Sequence, residues 1–272
     1  MKSSDQNRTI EDFGEQWTRY TDNEGWYGSL ELFQDMLGPL LSTSEIEGAT
    51  VAEIGSGTGR IVSMLLAAGA ARVVAIEPSE AFEVLVENVA KMNGGAEKVV
   101  PIRASGHDFE TDLTLDFVFS IGVLHHIVEP GPVVRAAFDA LAPGGRIFVW
   151  LYGREGNRGY LALTRPLRAI TVRLPHPLLK VVVEIVYGLL AVYRQACRAL
   201  PLPLRSYLEE VLWPMSPKNR RLVIYDQLNP AHAKYYREGE ARSLLAEAGF
   251  EALRLHHRHG YSWSVIGTKP AA

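Results

Sequence analysis

The stretch VAEIGSGTGRI, residues 51–61, carries the densest chemical signal in the chain. Its three glycines, Gly55, Gly57 and Gly59, follow a short apolar run. Glycine lets the backbone turn tightly there and lets a ligand approach where a Cβ would clash. Further on, Glu77 closes a second apolar run, where a carboxylate can accept both ribose hydroxyls of a nucleoside. The spacing is G-x-G-x-G, unlike the G-x-G-x-x-G of dinucleotide-binding turns, and no G-x-x-x-x-G-K-[ST] phosphate loop is present. Glu53, two residues before the first glycine, places negative charge where a pyrophosphate would be repelled. A ligand with a cationic amino-acid end suits this turn better.

The elements that position these residues alternate regularly. Thr50–Ile54, Arg72–Ile76, Lys98–Arg103, Leu115–Ile121 and Arg146–Tyr152 read as five strands. Helical patterns over Arg60–Ala70, from the Ser79 cap to Met92 and over Pro132–Leu141 stand between them, and Pro143-Gly144-Gly145 is a turn. Such alternation predicts an α/β domain with a parallel sheet covered on both faces. The rhythm stops at residue 153 and resumes with a helix over Glu238–Ala248 and two final strands, Glu251–His257 and Tyr261–Thr268. The chain then divides into an N-terminal aromatic segment (1–48), a core (49–152 and 238–272) and a helical insert (153–237).

Composition bounds the rest. The 272 residues are 47% hydrophobic and 22% charged, which excludes disordered and collagenous chains. Cys197 is the single cysteine, so no internal disulfide forms, and no Cys/His spacing suggests a metal site. With no apolar leader after Met1 and no run of about 18 charge-free apolar residues, a cytoplasmic protein is expected. The net charge of −3 conceals a split: residues 151–225 hold twelve Lys/Arg against four Asp/Glu. A basic segment in an acidic chain either contacts anions or merely solvates helix faces.

Four ordered motifs resemble the class I S-adenosylmethionine-dependent methyltransferases of small-molecule type: VAEIGSGTGRI, VVAIEPS with Glu77, LDFVFSIGVLHHIVEP and LAPGGRIFVW. The resemblance covers about residues 50–152 and 238–268. It implies a seven-stranded doubly wound sheet in the order 3-2-1-4-5-7-6, strand 7 antiparallel. It implies the cofactor's methionine end at Glu53, Gly55, Ser56 and Gly57, with Gly59 in the same turn, and its ribose at Glu77. Adenine is then expected near Pro78 and the loop Ala104-Ser105-Gly106-His107-Asp108, where Ser105, His107 and Asp108 all remain candidates for the family's usual Asp. Ile121, Gly122 and Val123 are expected beside the sulfonium, and S-adenosyl-L-homocysteine as the product.

Methyl transfer from a sulfonium needs reactants held in line and, for some acceptors, a base. His125 and His126 are the base candidates, with His126 also read as a cofactor contact. In similar enzymes an N-terminal aromatic segment closes over the cofactor; here Trp17 and Tyr20 are the expected contacts, since aromatic faces attract a sulfonium. Tyr152, Arg154 and Asn157 after the fifth strand, and Tyr225, Asp226, His232 and Tyr235 in a polar loop at the end of the insert, are candidates for the acceptor. His256, His257 and His259 are read as structural.

The helix expected over Leu178–Leu200 is apolar around most of its circumference, with Lys180, Glu184, Gln195 and Arg198 in one polar stripe. It is read first as an internal lid over the acceptor, and second as lying on the inner face of an anionic membrane. The expected function is methyl transfer to an O, N or C nucleophile of a small molecule, such as a sugar, quinone, lipid or other secondary metabolite, with no nucleic-acid partner. The alternatives are an RNA or protein methyltransferase gripping its polymer with the basic insert, and a non-catalytic cofactor-binding protein.

Overall fold

A computed structural model describes residues 2–21 and 23–271, with side chains from Gln6 onward. Met1, Asp22 and Ala272, which fall in the expected N-terminal and core segments, lie outside the described residues. Seven strands, β1 (Thr50–Ile54), β2 (Arg72–Ile76), β3 (Val99–Ile102), β4 (Leu115–Ile121), β5 (Leu141–Tyr152), β6 (Glu251–Arg258) and β7 (Ser262–Thr268), form one sheet. Its order is β3-β2-β1-β4-β5-β7-β6. The first five strands pair in parallel, and β7 runs antiparallel to both β5 and β6. The doubly wound order expected from the resemblance is the one observed.

The helices are α1 (Lys2–Arg19), α2 (Leu30–Leu37), α3 (Arg60–Ala67), α4 (Ala81–Lys91), α5 (Gly95–Lys98), α6 (Gly131–Ala140), α7 (Arg158–Thr171), α8 (His176–Ala199), α9 (Pro217–Leu228) and α10 (Glu238–Ala246). Alternation along the strands splits the core in two. Val51, Phe117, Phe119 and Phe148 face a cluster with Phe33, Leu37, Ile61 and Leu65, whereas Ala52, Val118, Ile147 and Val265 face one with Val133, Ala137 and Leu245. Both faces are covered, so the central strands read as unbroken apolar runs.

Three boundaries differ instructively from the sequence reading. Leu141 already pairs with Leu115, and the ladder resumes at Phe117 opposite Arg146, so the Pro143-Gly144-Gly145 turn is bracketed by pairing rather than preceding the strand. The segment from Tyr225 to Leu228, expected as loop, is the last turn of α9; the polar loop begins only at Asn229. The long apolar helix runs His176–Ala199 and is buried on one side only, through Leu179, Val183 and Cys197. Leu179 and Val183 pack with Ile224, Tyr225 and Leu228 of α9. The opposite side, Leu178, Val181, Ile185, Leu189 and Val192, is 54–72% exposed.

Candidate active site

The glycine turn leaves β1 as a tight loop. Gly55, Gly57 and Gly59 have φ of +80°, +52° and +89°, the left-handed region that a side chain disfavours. A Cβ on Gly55 would stand 2.5 Å from a Val123 methyl, so this position also needs the space. Glu77, at the end of β2, braces the turn: one carboxylate oxygen accepts from Gly57 N at 2.8 Å and the other from Ser79 N at 2.9 Å. A carboxylate has about four acceptor positions, so two remain for a further donor pair.

A cavity of about 470 Å³ opens over this turn. Its floor is Glu53, Gly55, Ser56, Gly57, Glu77 and Pro78, with Ser105 and Gly106 on one side and Ile121, Gly122, Val123 and His126 on the other. The N-terminal helix α1 forms its roof through Phe13 and Trp17, and the indole nitrogen of Trp17 would lie 3.6 Å from a Cβ on Gly57. The roof is latched at several points. Gln16, fully buried, donates to Asp226 at 3.2 Å, Gln6 accepts from Val128 N at 2.9 Å, and Asn23 and Thr58 exchange hydrogen bonds beside the turn.

Glu53 is 1% exposed, and one of its carboxylate oxygens has no hydrogen-bond partner among the described residues. Burial pushes its pKa up to about 8, only partly offset by Arg60 and Ser56. A buried, unpaired acceptor lining a cavity is a place made for a cation. This orphaned oxygen and the cradle at Gly55 fit S-adenosylmethionine: Glu53 would take the ammonium, Glu77 the ribose, and Trp17 the face of the sulfonium.

The two adjacent histidines differ. His125 is fully buried outside the cavity lining and stacks on the Tyr152 ring at 3.7 Å; burial holds its pKa well below the usual value. His126 lines the cavity, and its Nδ1 lies 2.8 Å from the His232 carbonyl oxygen. A carbonyl only accepts, so Nδ1 carries the proton and Nε2 keeps its lone pair. Nε2 has no hydrogen-bond partner among the described residues. Burial pulls the His126 pKa down to about 4, against a smaller opposite pull from Asp226. Both imidazoles are thus neutral near pH 7.

The far end of the cavity is phenolic. Tyr152 donates to Asp226 at 3.0 Å and accepts from Gln227 at 2.7 Å. Tyr160 and Tyr235 both donate to the other end of Gln227, at 2.8 and 3.2 Å. Burial raises the pKa of Tyr152, Tyr160 and Tyr235, so these hydroxyls stay protonated. Tyr207 joins them from an underwound turn over Tyr207–Leu212, a π-type helix. Such bulges recur at functional sites.

Several expected site residues lie elsewhere. Tyr20 packs on Tyr225 at 6.1 Å, and Tyr225 in turn contacts His176; neither tyrosine lines the cavity. Tyr27, from the same aromatic segment, does. Gly59 lies behind the turn against Leu85 and Met92. Of the three adenine candidates, Ser105 lines the cavity, while His107 and Asp108 pair with each other at 3.0 Å on the surface. Arg154 is exposed and outside the lining, and His232 contributes its carbonyl to His126 rather than a wall of the cavity. Asn157 lines the cavity but spends its amide on the carbonyls of Gly153 and Tyr261, both at 2.7 Å. His256 packs beneath Gly38, His257 stacks on Trp263, and His259 pairs with Asp35. Among the described residues no group of three His, Cys, Asp or Glu could hold a metal.

Comparison with known proteins agrees with this geometry. A family described as "Methyltransferase domain" matches residues 52–149. The tRNA U34 carboxymethyltransferase of Klebsiella pneumoniae is 30% identical over 114 residues, 42% of this chain and 34% of that protein. A probable protein arginine N-methyltransferase 6 of Arabidopsis thaliana is 34% identical over 107 residues, 38% of this chain and 24% of that one. The chain therefore spans only about a third or less of the length of these curated relatives. Among solved structures, magnesium protoporphyrin IX methyltransferase from Synechocystis, with bound S-adenosylhomocysteine, aligns over 99% of this chain and all of its own (TM-score 0.57, 14% identity). The S-adenosylmethionine-dependent methyltransferase SibL aligns over 88% of this chain and 55% of its own (TM-score 0.54, 20% identity), a likeness of fold. Residues 52–149 thus carry a methyltransferase domain, and the sheet order and glycine turn around it are those of the class I S-adenosylmethionine-dependent methyltransferase fold.

Proposed function

We propose that the chain methylates a nucleophile on a small, largely apolar molecule. One observation carries this reading: the cavity continues from the glycine turn, beneath α1, to a buried phenolic end walled by α7, α9 and the Tyr207–Leu212 turn. Its wall there is aliphatic or aromatic apart from Asn157, Asp226, Gln227, Arg258 and the hydroxyls, and Asn157, Asp226 and Arg258 already have partners of their own. When bound, S-adenosylmethionine supplies the electrophilic methyl group. The chain supplies position, exclusion of water and an acceptor for a proton. His126 Nε2 can orient an acceptor O–H or N–H through its lone pair. It can take the proton as methylation makes that group strongly acidic, which a weak base suffices to do. Tyr152 and Tyr235 can fix the remaining polar atoms of the acceptor.

A second reading, methylation of RNA, is favoured by the names of the tRNA-modifying relatives, whose likeness to this chain extends over 104–116 residues. One assay separates the two. The protein is incubated with methyl-labelled cofactor and either an organic-soluble metabolite extract or total tRNA. Label entering the extract is expected. Label entering tRNA alone would overturn the proposal.

A further inference from the structure

The outer face of the insert is unlike the rest of the surface. Leu178, Val181, Ile185, Leu189 and Val192 recur at helical spacing along α8 and are 54–72% exposed, and only 11% of the helix's 18-residue apolar window is buried. At 1.5 Å per residue this stripe is about 20 Å long. Leu163 and Ile170 of α7 are also exposed, at 75% and 62%. So much contiguous exposed aliphatic surface marks a contact.

Charge identifies the contact. Arg158, Arg165, Arg173, Lys180 and Arg205 are exposed on the same insert and make no ion pair with a described carboxylate. Of the insert's five acids, Glu184 and Glu209 are paired with Arg221 at 2.6 Å and Arg194 at 2.7 Å, and Glu210 lies 3.8 Å from His259. Asp226 lines the cavity and accepts from Tyr152, and Glu155 accepts from the Trp263 indole, so basic residues outnumber free acids. The free charge around the apolar stripe is therefore positive. A second copy of the chain would bring the same positive rim against it and be repelled. An anionic lipid surface offers both an apolar interior for the stripe and counter-charge for the rim.

We propose that the α7–α8 face docks on the surface of an anionic lipid bilayer. The helix lies in the interface rather than crossing it, because its other side is committed to the fold. Leu179 and Val183 pack against α9, and Val186 and Leu190 line the active-site cavity. The rim of that cavity reaches the same face, since Leu163 and Leu204 line it while 75% and 41% exposed. Docking would let a lipid-soluble acceptor pass from the bilayer into the cavity. This last step rests on the proposed function; the docking itself does not.

The test is flotation of the whole protein with vesicles of equimolar phosphatidylglycerol and phosphatidylcholine, or of phosphatidylcholine alone, at low and high ionic strength. Binding to the anionic vesicles at low salt is expected, weakened by salt and absent from neutral vesicles. The pairs Ile185→Asp with Leu189→Asp, and Arg165→Glu with Arg173→Glu, should each lower partition by at least about tenfold. These four residues are exposed and line no part of the cavity, so melting and S-adenosylhomocysteine binding should be unchanged. No flotation at low salt, or equal binding to neutral vesicles, would overturn the proposal. So would a dimer in sedimentation that the Ile185→Asp, Leu189→Asp pair dissolves while vesicles stay unbound. Vesicle binding needs no turnover, so a wrong acceptor class leaves this result standing.

Discussion

Glu53→Gln separates what burial of this carboxyl costs the fold from what the carboxyl contributes to a ligand. The carboxyl is buried and its pKa is lifted from an ordinary 4.5 to about 8. Between those values the folded chain keeps a proton that the unfolded chain has lost, so stability falls as pH rises through the window. A shift of this size corresponds to about 5 kcal/mol, fully expressed above pH 8 and absent below 4.5. Glutamine has the shape of the protonated acid and no charge to lose. The variant should therefore match the wild type near pH 5 and be several kcal/mol more stable at pH 9, by about half to all of that figure.

Ligand binding should move the opposite way. An ammonium group needs the ionised carboxylate, so wild-type affinity for S-adenosylhomocysteine should rise by up to about tenfold per pH unit below pH 8, with release of one proton. Urea melts from pH 5 to 9 give the first quantity. Calorimetry in buffers of different ionisation heat gives the second and the proton count. In Glu53→Gln the affinity should drop and lose its pH dependence. A variant that binds as tightly as wild type at pH 8, or whose stability gain is the same at every pH, would refute the reasoning.

Gly57→Val puts a branched Cβ at φ +52° beneath Trp17, so S-adenosylhomocysteine binding should vanish in calorimetry while circular dichroism shows a folded chain. His126→Ala should lower kcat roughly 100-fold with a smaller change in cofactor affinity. His126 itself, with its pKa lowered from 6.5 to about 4, should cost stability only as pH falls below 6.5, by about 3 kcal/mol in the limit at pH 4, seen as a loss of Tm absent from His126→Gln. Arg258 is 3% exposed and paired with Asp35, which is one-third exposed and keeps His259 as a second partner, so Arg258→Ala should destabilise the chain by about 1–3 kcal/mol in urea melts through its lost charge-assisted hydrogen bonds.

The sheet and the cofactor turn were legible because their signals are local. Strands buried on both faces show as apolar runs, and a left-handed turn shows as glycines at fixed spacing. The acceptor side was less legible for a physical reason. In α9 the buried residues Asn219, Leu222, Ile224, Tyr225 and Leu228 are spread around the helix, which is pressed between α8 and the core, so the helical period disappears. Tyr225 to Leu228 consequently read as loop. Neighbouring residues of one type are also separated only by tertiary packing. Nothing in Leu-His-His tells that His125 turns into the core and His126 into the cavity, nor that Tyr27 rather than Tyr20 reaches it. The contribution of Phe13 had a faint signal, as an apolar residue one helical turn before Trp17 on an amphipathic helix.

The apolar insert and the titration of the cavity point to the same kind of acceptor. Glu53 is held protonated at pH 7, His126 is held neutral, and Tyr152, Tyr160 and Tyr235 are held protonated, each mainly by burial. A cavity that suppresses charge on so many of its own groups would charge an equally high cost for a charged acceptor. The cofactor would escape that cost, because Glu53 would ionise as the ammonium arrives and Trp17 would face the sulfonium. At the phenolic end Asp226 already accepts from Tyr152 and Gln16 and Arg258 is paired with Asp35, which leaves hydroxyls and an amide to meet a neutral polar atom on an apolar frame. On the proposed function such a molecule would partition into lipid, and the exposed stripe on α8, docked as proposed, would collect it there.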